Sequence, residues 1–270
     1  MAKIETTFLD FTYLDLLAEG ETAVHRLDPR AKVLATAVFI VVVVSFGRYA
    51  VAPLVPFFLF PAVVVARGNL PAGFLARKLL FVLPFVLLVG ILNPLFDRET
   101  ALTLGPLAIS GGWVSFFSIV LRSILTVGSA LVLIATTGFT GICLALERLG
   151  VPQPFVVQLL FLYRYIFVLT EEAVRTVRAR ELRSCGRRGK GVGAFAPLVG
   201  TLLLRTWDRA ERIHLAMLCR GFRGEFHVRR AYRFGTAETL FTLGWVGVFI
   251  LFRLVNVSAI LGGWITEMLQ

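Results

Sequence analysis

The sequence predicts an all-α polytopic membrane protein of about five transmembrane helices, with a cytoplasmic domain of amphipathic helices between the fourth and the fifth. Three observations carry this. Apolar residues make up 57% of the chain, and the mean hydropathy of +0.80 is too high for a water-soluble domain of 270 residues. Several apolar runs approach the roughly 20 residues that a helix needs to cross a bilayer. Charge is concentrated: residues 171–233 hold fifteen Lys/Arg against six Asp/Glu, or +9 of the chain's net +11.

Taken in order, residues 1–30 read as a cytoplasmic N-terminal arm carrying Asp10, Asp15, Glu19 and Glu21. Mixed polar and acidic residues, in place of a basic stretch followed by an apolar one, argue against a cleavable signal peptide. The arm closes on His25-Arg26-Leu27-Asp28-Pro29-Arg30-Ala31-Lys32. Asp28 before Pro29 predicts a helix start, an acceptor side chain at the N-cap and a preset φ at the first helical position. Arg30 and Lys32 then read as anchors at the membrane boundary.

Residues 31–137 read as a four-helix transmembrane region. Its first span runs from Val33 to Phe46 and its second from Tyr49 to Ala66. Pro53, Pro56 and Pro61 predict a kink or break in the second. Arg67, Arg77 and Lys78 mark a return to the basic side. The third span covers Leu79 to Leu95, Asp97-Arg98-Glu99 turns the chain on the charge-poor side, and the fourth span covers Trp113 to Thr137. A last span, Leu240 to Val255, falls within residues 236–270. Counting Lys/Arg by side places the N-terminus, the 67–78 loop and residues 171–233 in the cytoplasm and the C-terminus outside, in a multi-pass protein of the cell inner (plasma) membrane.

Residues 138–170 leave two readings open. Gly138 and Gly141 interrupt the fourth helix, and Val151-Pro152-Gln153-Pro154 is a stiff turn. The run Phe155 to Leu169 is apolar, carries Gln158 and Arg164, and is short for a free-standing span. It either lies in the interface or begins one long helix that continues past Glu171. The lack of a breaker between Phe155 and Cys185 favours the long helix.

Absences narrow the chemistry. From Pro29 to Phe96 and from Thr100 to Leu146 there is no Asp, Glu or His, the residues that usually mark ion or proton pathways in membranes. His25, His214 and His227 lie outside the spans without ligand spacing, and Cys143, Cys185 and Cys219 are far apart with no CxxC pair, which fits reduced thiols. Gly186-Arg187-Arg188-Gly189-Lys190-Gly191 imitates a phosphate loop. Yet Ser184 stands where the first glycine belongs and Gly191 where the hydroxyl does, so the segment reads as a basic linker. No catalytic set can be assembled. The chain is expected to be no enzyme and to need no cofactor, no metal and no nucleic acid.

Arg122 sits about nine residues into the fourth span, where an unpaired charge costs at least ~2.5 kcal/mol. It either snorkels or caps a carbonyl of a neighbouring helix, or it contacts a second membrane subunit.

The basic segment, within residues 171–235, reads as two amphipathic helices. In the second, Leu203, Trp207, Ala210, Ile213 or His214, and Met217 recur at three- and four-residue steps and make one apolar face. Asp208 and Arg212 form an i,i+4 pair on the other side, and Arg220-Gly221 ends the helix with glycine at the expected position. The first helix, from Glu171 to Arg183, gathers Arg175, Arg178, Arg180 and Arg183 near its C-terminus, where cations complement the dipole. A solvated basic face against anionic lipid is the plain alternative.

Arg178-Ala179-Arg180 in one helix, followed about forty residues later by Ala216-Met217-Leu218-Cys219-Arg220-Gly221-Phe222-Arg223-Gly224, resembles the transmembrane component of energy-coupling factor transporters. Leu27-Asp28-Pro29-Arg30-Ala31-Lys32 is similar to that family's opening motif, so the resemblance covers essentially the whole chain. The family carries two Ala-Arg-Gly-type motifs at the ends of paired coupling helices. In the second, Arg220 takes the arginine position and Cys219 stands where alanine is usual. The first lacks its glycine, reading Ala179-Arg180-Glu181, with Arg183 as a rival for the same role. Tyr163-Arg164-Tyr165-Ile166-Phe167-Val168-Leu169, leading into Glu171-Glu172, is similar to the cobalt/nickel branch, the CbiQ/NikQ type. The resemblance implies a cytoplasmic coupling domain. Two cytoplasmic ATP-binding subunits would grip it through Arg180 or Arg183 and through Cys219, Arg220 and Gly221. It further implies a separate substrate-binding membrane subunit, with Arg122 as a candidate contact, and uptake of nickel or cobalt. A basic membrane scaffold without an ATPase partner is the competing expectation.

Overall fold

The structure is a computed structural model and describes residues 13–96, 100–104, 107–183, 192–224 and 235–255. These fall into two compact units, one holding residues 13–145 and 235–255, the other 146–183 and 192–224.

The first unit opens with α1 (residues 13–18) and α2 (Ala23–Arg26), then α3 (Pro29–Val44). The α3 start follows from its sequence: Asp28 Oδ1 accepts from the Arg30 backbone N–H at 2.9 Å, and Pro29 takes the first helical position. A 3-10 segment (Ala52–Phe58) leads into α4 (Leu59–Gly68), which ends on Asn69 in the left-handed conformation, φ 50°. The prolines thus divide the second apolar run. α5 (Ala72–Gly90) and the short α6 (Leu92–Phe96) follow. β1 (Thr100–Leu104) and β2 (Leu107–Ser110) then pair antiparallel, an element the sequence reading did not anticipate.

Helix α7 (Gly111–Arg148) is broken at Gly138, whose φ of 69° and ψ of 159° lie outside helical space. Buried Thr136 bonds backward along the helix, its Oγ1 donating to the Val132 carbonyl at 2.9 Å, whereas buried Ser118 donates across to the Ala50 carbonyl at 3.3 Å. The last helix of this unit, α10 (Thr236–Leu254), has its N-terminus closed by Glu238, which accepts from the Gly235 N–H at 2.9 Å.

The core is aromatic. Phe39 of α3 is fully buried, with ring centroids 4.9 Å from Phe60 and 5.3 Å from Phe249 of α10. Phe60 lies 5.2 Å from Phe249 and 4.9 Å from Trp245, so edge-to-face packing joins α3, α4 and α10.

The second unit consists of α8 (Gln153–Arg183) and α9 (Val192–Cys219). α8 is continuous, as the missing breaker suggested, and at 31 residues is about 46 Å long.

By length and composition, four helices among the described residues are able to cross a membrane: Ala72–Pro94, Gly111–Arg148, Gln153–Arg180 and Thr236–Leu254. Three of them correspond to expected spans, and α8 adds one that the sequence had left open. α3, at 16 residues, and Ala52–Gly68 are shorter. The chain is a polytopic helical membrane protein. One anchor also needs correction: Lys32 is only 5% exposed and turns inward, donating from Nζ to the Thr136 carbonyl at 2.9 Å.

Candidate functional site

The second unit carries the candidate site. Its two helices run in opposite directions, because later residues of α8 meet earlier residues of α9. Phe161 packs edge-on against Phe222 at 6.3 Å, Glu172 pairs with Arg205 at 3.4 Å, and Val177 lines a groove with Val199. The apolar steps read from the sequence of α9 face this groove. Leu203, Ala210, Ile213 and Met217 line about 480 Å³ of it opposite Phe161 and Tyr165, and a second stretch of about 500 Å³ lies between Ile166 and Val177. Its walls are largely unfilled, for Leu203 is 68% exposed and Trp207 72%.

The end of α9 is built by its backbone. Gly221 N–H donates to the Leu218 carbonyl at 2.9 Å and Phe222 N–H to the Met217 carbonyl at 3.0 Å, the paired bonds of a Schellman cap. Closing that cap requires Gly221 to take φ 78°, a left-handed conformation natural to glycine. Phe222 is thereby turned onto Phe161 of α8, while Cys219, Arg220 and Gly221 stay exposed.

Arg180 and Arg183 lie in the last turn of α8, Arg180 half-buried and Arg183 exposed. They do not meet Arg220. The level of Phe161 and Phe222 is 19 residues from Arg180 along α8, about 28 Å of helix, so the two arginine motifs occupy opposite ends of the pair. The expected Asp208–Arg212 pair takes another form, with Arg212 Nε donating to the Asp208 main-chain carbonyl at 3.2 Å. Charge across the pair is carried by Arg205 and Glu172, and along α8 by Arg175 and Glu171 at 3.6 Å.

Arg122, in the first unit, donates from Nη2 to the carbonyls of Phe46 (3.0 Å) and Gly47 (3.1 Å), just past the end of α3. Arg253 of α10 reaches the same turn, donating to the Ser45 carbonyl at 3.3 Å with its guanidinium 4.3 Å above the Phe46 ring. Arg253 so satisfies the carbonyl at the C-cap of α3, and Arg122 two carbonyls of the turn that follows it. Arg253 has no part in the sequence reading. Its signal was position, a cation in the last turn of an apolar helix.

Among the described residues, no three His, Cys, Asp or Glu side chains come together as a metal site would require.

Membrane-capable helices in both units define a multi-pass membrane protein, and the second unit carries an arginine motif at each end of its opposed helices. The comparisons give the family. The profile of the CbiQ family, described as a cobalt transport protein, matches residues 20–231. The energy-coupling factor transporter transmembrane protein EcfT of Heliobacterium modesticaldum is 31% identical over 221 residues, 76% of this chain and 81% of that one. EcfT of Acidaminococcus fermentans is 28% identical over 251 residues, 86% and 92% of the two chains. A putative fused cobalt transport protein CbiMQ of Methanocorpusculum labreanum is 32% identical over 90 residues, 33% of this chain and 15% of that one. The chain belongs to the CbiQ family, the transmembrane components of energy-coupling factor transporters. It is a multi-pass protein of the plasma membrane, and its relatives are named as membrane components of transporters.

Proposed function

We propose that this chain is the membrane coupling subunit of an ATP-driven importer. Two cytoplasmic ATP-binding subunits grip the ends of α8 and α9, and the pair passes their movement to a separate membrane subunit that holds the substrate. The observation that carries this is the placing of the arginine motifs at opposite ends of one antiparallel pair, about 28 Å apart along the helix. Two motor subunits need two separate points of purchase. At one end Arg220 stands exposed on a rigid cap, where a planar guanidinium can fork onto a carboxylate in a partner's groove. At the other, Arg183 is exposed beside Arg180. Arg122 contributes a contact to the substrate-binding subunit through the turn it caps.

The cargo is divalent cobalt or nickel. The CbiQ profile and the name of the CbiMQ relative support cobalt, and the Tyr163–Leu169 resemblance supports the cobalt/nickel branch. Recognition of the metal falls to the partner membrane subunit.

The test is Arg220→Glu in the natively expressed chain. Membrane insertion should be unchanged, co-purification of the ATP-binding subunits should fall by about tenfold or more, and cobalt(II) uptake should drop to background. Normal uptake and co-purification would sink the reading. A wild-type chain that elutes with lipid and no ATP-binding subunit would leave a basic membrane scaffold.

A further inference from the structure

The break in α7 at Gly138 has a feature the coupling reading does not use. A residue turned out of helical geometry leaves carbonyls of the turn before it, and N–H groups of the turn after it, short of i,i+4 partners. Inside an apolar region such groups need a substitute. Two residues of the N-terminal segment supply one each, with the sign that each end favours. The Lys32 ammonium donates to the Thr136 carbonyl at 2.9 Å, at the negative end of the first half of α7. The Asp15 carboxylate accepts from the Phe139 N–H at 3.5 Å, at the positive end of the second half.

The fit is close. A Cβ on residue 138 would lie 3.2 Å from Ala18 Cβ and 3.5 Å from Asp15 Oδ1, so α1 packs directly on the break. Lys32 is itself held at the start of α3, a turn past the Asp28 cap, and is buried where a membrane-boundary lysine would ordinarily reach for water.

We propose that Lys32 and Asp15 are positioning residues that clamp the two halves of α7 across Gly138. The clamp fixes the direction in which the second half leaves the break. In its transport consequence this rests on the coupling reading. In its structural consequence it does not.

Cys143 is a native reporter, since it lies five residues past Gly138 and is 1% exposed. In membranes carrying the full-length chain, maleimide modification of Cys143 is followed by peptide mass spectrometry for wild type, Lys32→Met, Lys32→Arg and Asp15→Ala. Lys32→Met should raise the modification rate by about tenfold and Asp15→Ala by less, while Lys32→Arg, which keeps a donor, should restore protection. In the assembled transporter, Lys32→Met should lower cobalt(II) uptake per ATP hydrolysed by about tenfold, with hydrolysis itself retained and the ratio restored by Lys32→Arg. Unchanged Cys143 protection in both Lys32→Met and Asp15→Ala overturns the clamp. An opened Cys143 with an unchanged ratio of uptake to hydrolysis upholds the clamp and overturns its transport consequence. If Lys32→Met fails to accumulate, Asp15→Ala decides both measurements. If no ATP-binding subunit assembles with the wild-type chain, the coupling reading fails by itself, and the Cys143 result still decides the clamp.

Discussion

His25 shows how one side chain ties stability to pH. It sits in α2, ahead of the spans, 7% exposed, with Nδ1 2.6 Å from Thr22 Oγ1. Burial first, and the Lys32 charge second, hold its proton affinity below the usual 6.5, against the Leu17 and Ala135 carbonyls, which favour the proton. In the unfolded chain the imidazole protonates near its ordinary value, while the buried one waits for lower pH. Between those two values the unfolded state binds more protons, so stability rises with pH and is lost as pH falls below 6.5. The melting temperature of the purified full-length chain should therefore decline from about pH 7.5 to about pH 5.5, and His25→Gln should flatten that decline. A wild-type melting temperature that does not change over this range would contradict the shift.

Among the elements, α9 depends most on how it ends. The exposed pair Arg205–Glu172 is worth at most about 1 kcal/mol, so the alignment of α9 on α8 rests on the apolar groove and on Phe222 meeting Phe161. Both bonds of the cap need Gly221 at φ 78°. Gly221→Ala should cost about 1–2 kcal/mol locally. It should loosen Phe222 from Phe161 and displace Arg220 without removing its charge. Co-purification of the ATP-binding subunits should then weaken by less than in Arg220→Glu, and faster amide exchange over residues 217–222 would locate the fault. Equal loss in both variants would show that charge and geometry are not separable at this end.

For the molecule as a whole, the aromatic core around Phe39 decides whether the first unit holds together. Lipid tails are as apolar as the helices, so close packing has to supply the preference for helix–helix contact. Phe39 is fully buried and touches the rings of Phe57, Phe60 and Phe249, which come from three other segments. Phe39→Ala should cost about 3–5 kcal/mol and lower the thermal stability of the full chain in detergent. Exposed Phe81, at 87%, provides the control, since Phe81→Ala should change little. Comparable losses at both positions would argue against the core.

Much of this was legible in the sequence because it is decided within a turn or two of chain. The apolar runs, the concentration of charge in 171–233, the Asp28-Pro29 helix start, the Gly138 interruption, the uninterrupted α8 and the glycine that closes α9 all rest on local composition and backbone preference. The arginines of the candidate site were named from the family resemblance, and each lies at a helix end that the sequence marks. The antiparallel course of α8 and α9, and hence the separation of the two motifs, was not legible, because it arises from side chains tens of residues apart. Lys32 read as a boundary anchor, yet it is buried against Thr136, 104 positions away. Arg122 meets the carbonyls of Phe46 and Gly47, 76 and 75 positions earlier, a pairing that no local pattern marks. Sequence alone determined a helical membrane protein with two arginine-tipped helices. Tertiary structure decided which buried charge meets which unpaired carbonyl, since in an apolar surrounding a charge goes to whichever polar group the packing brings within reach.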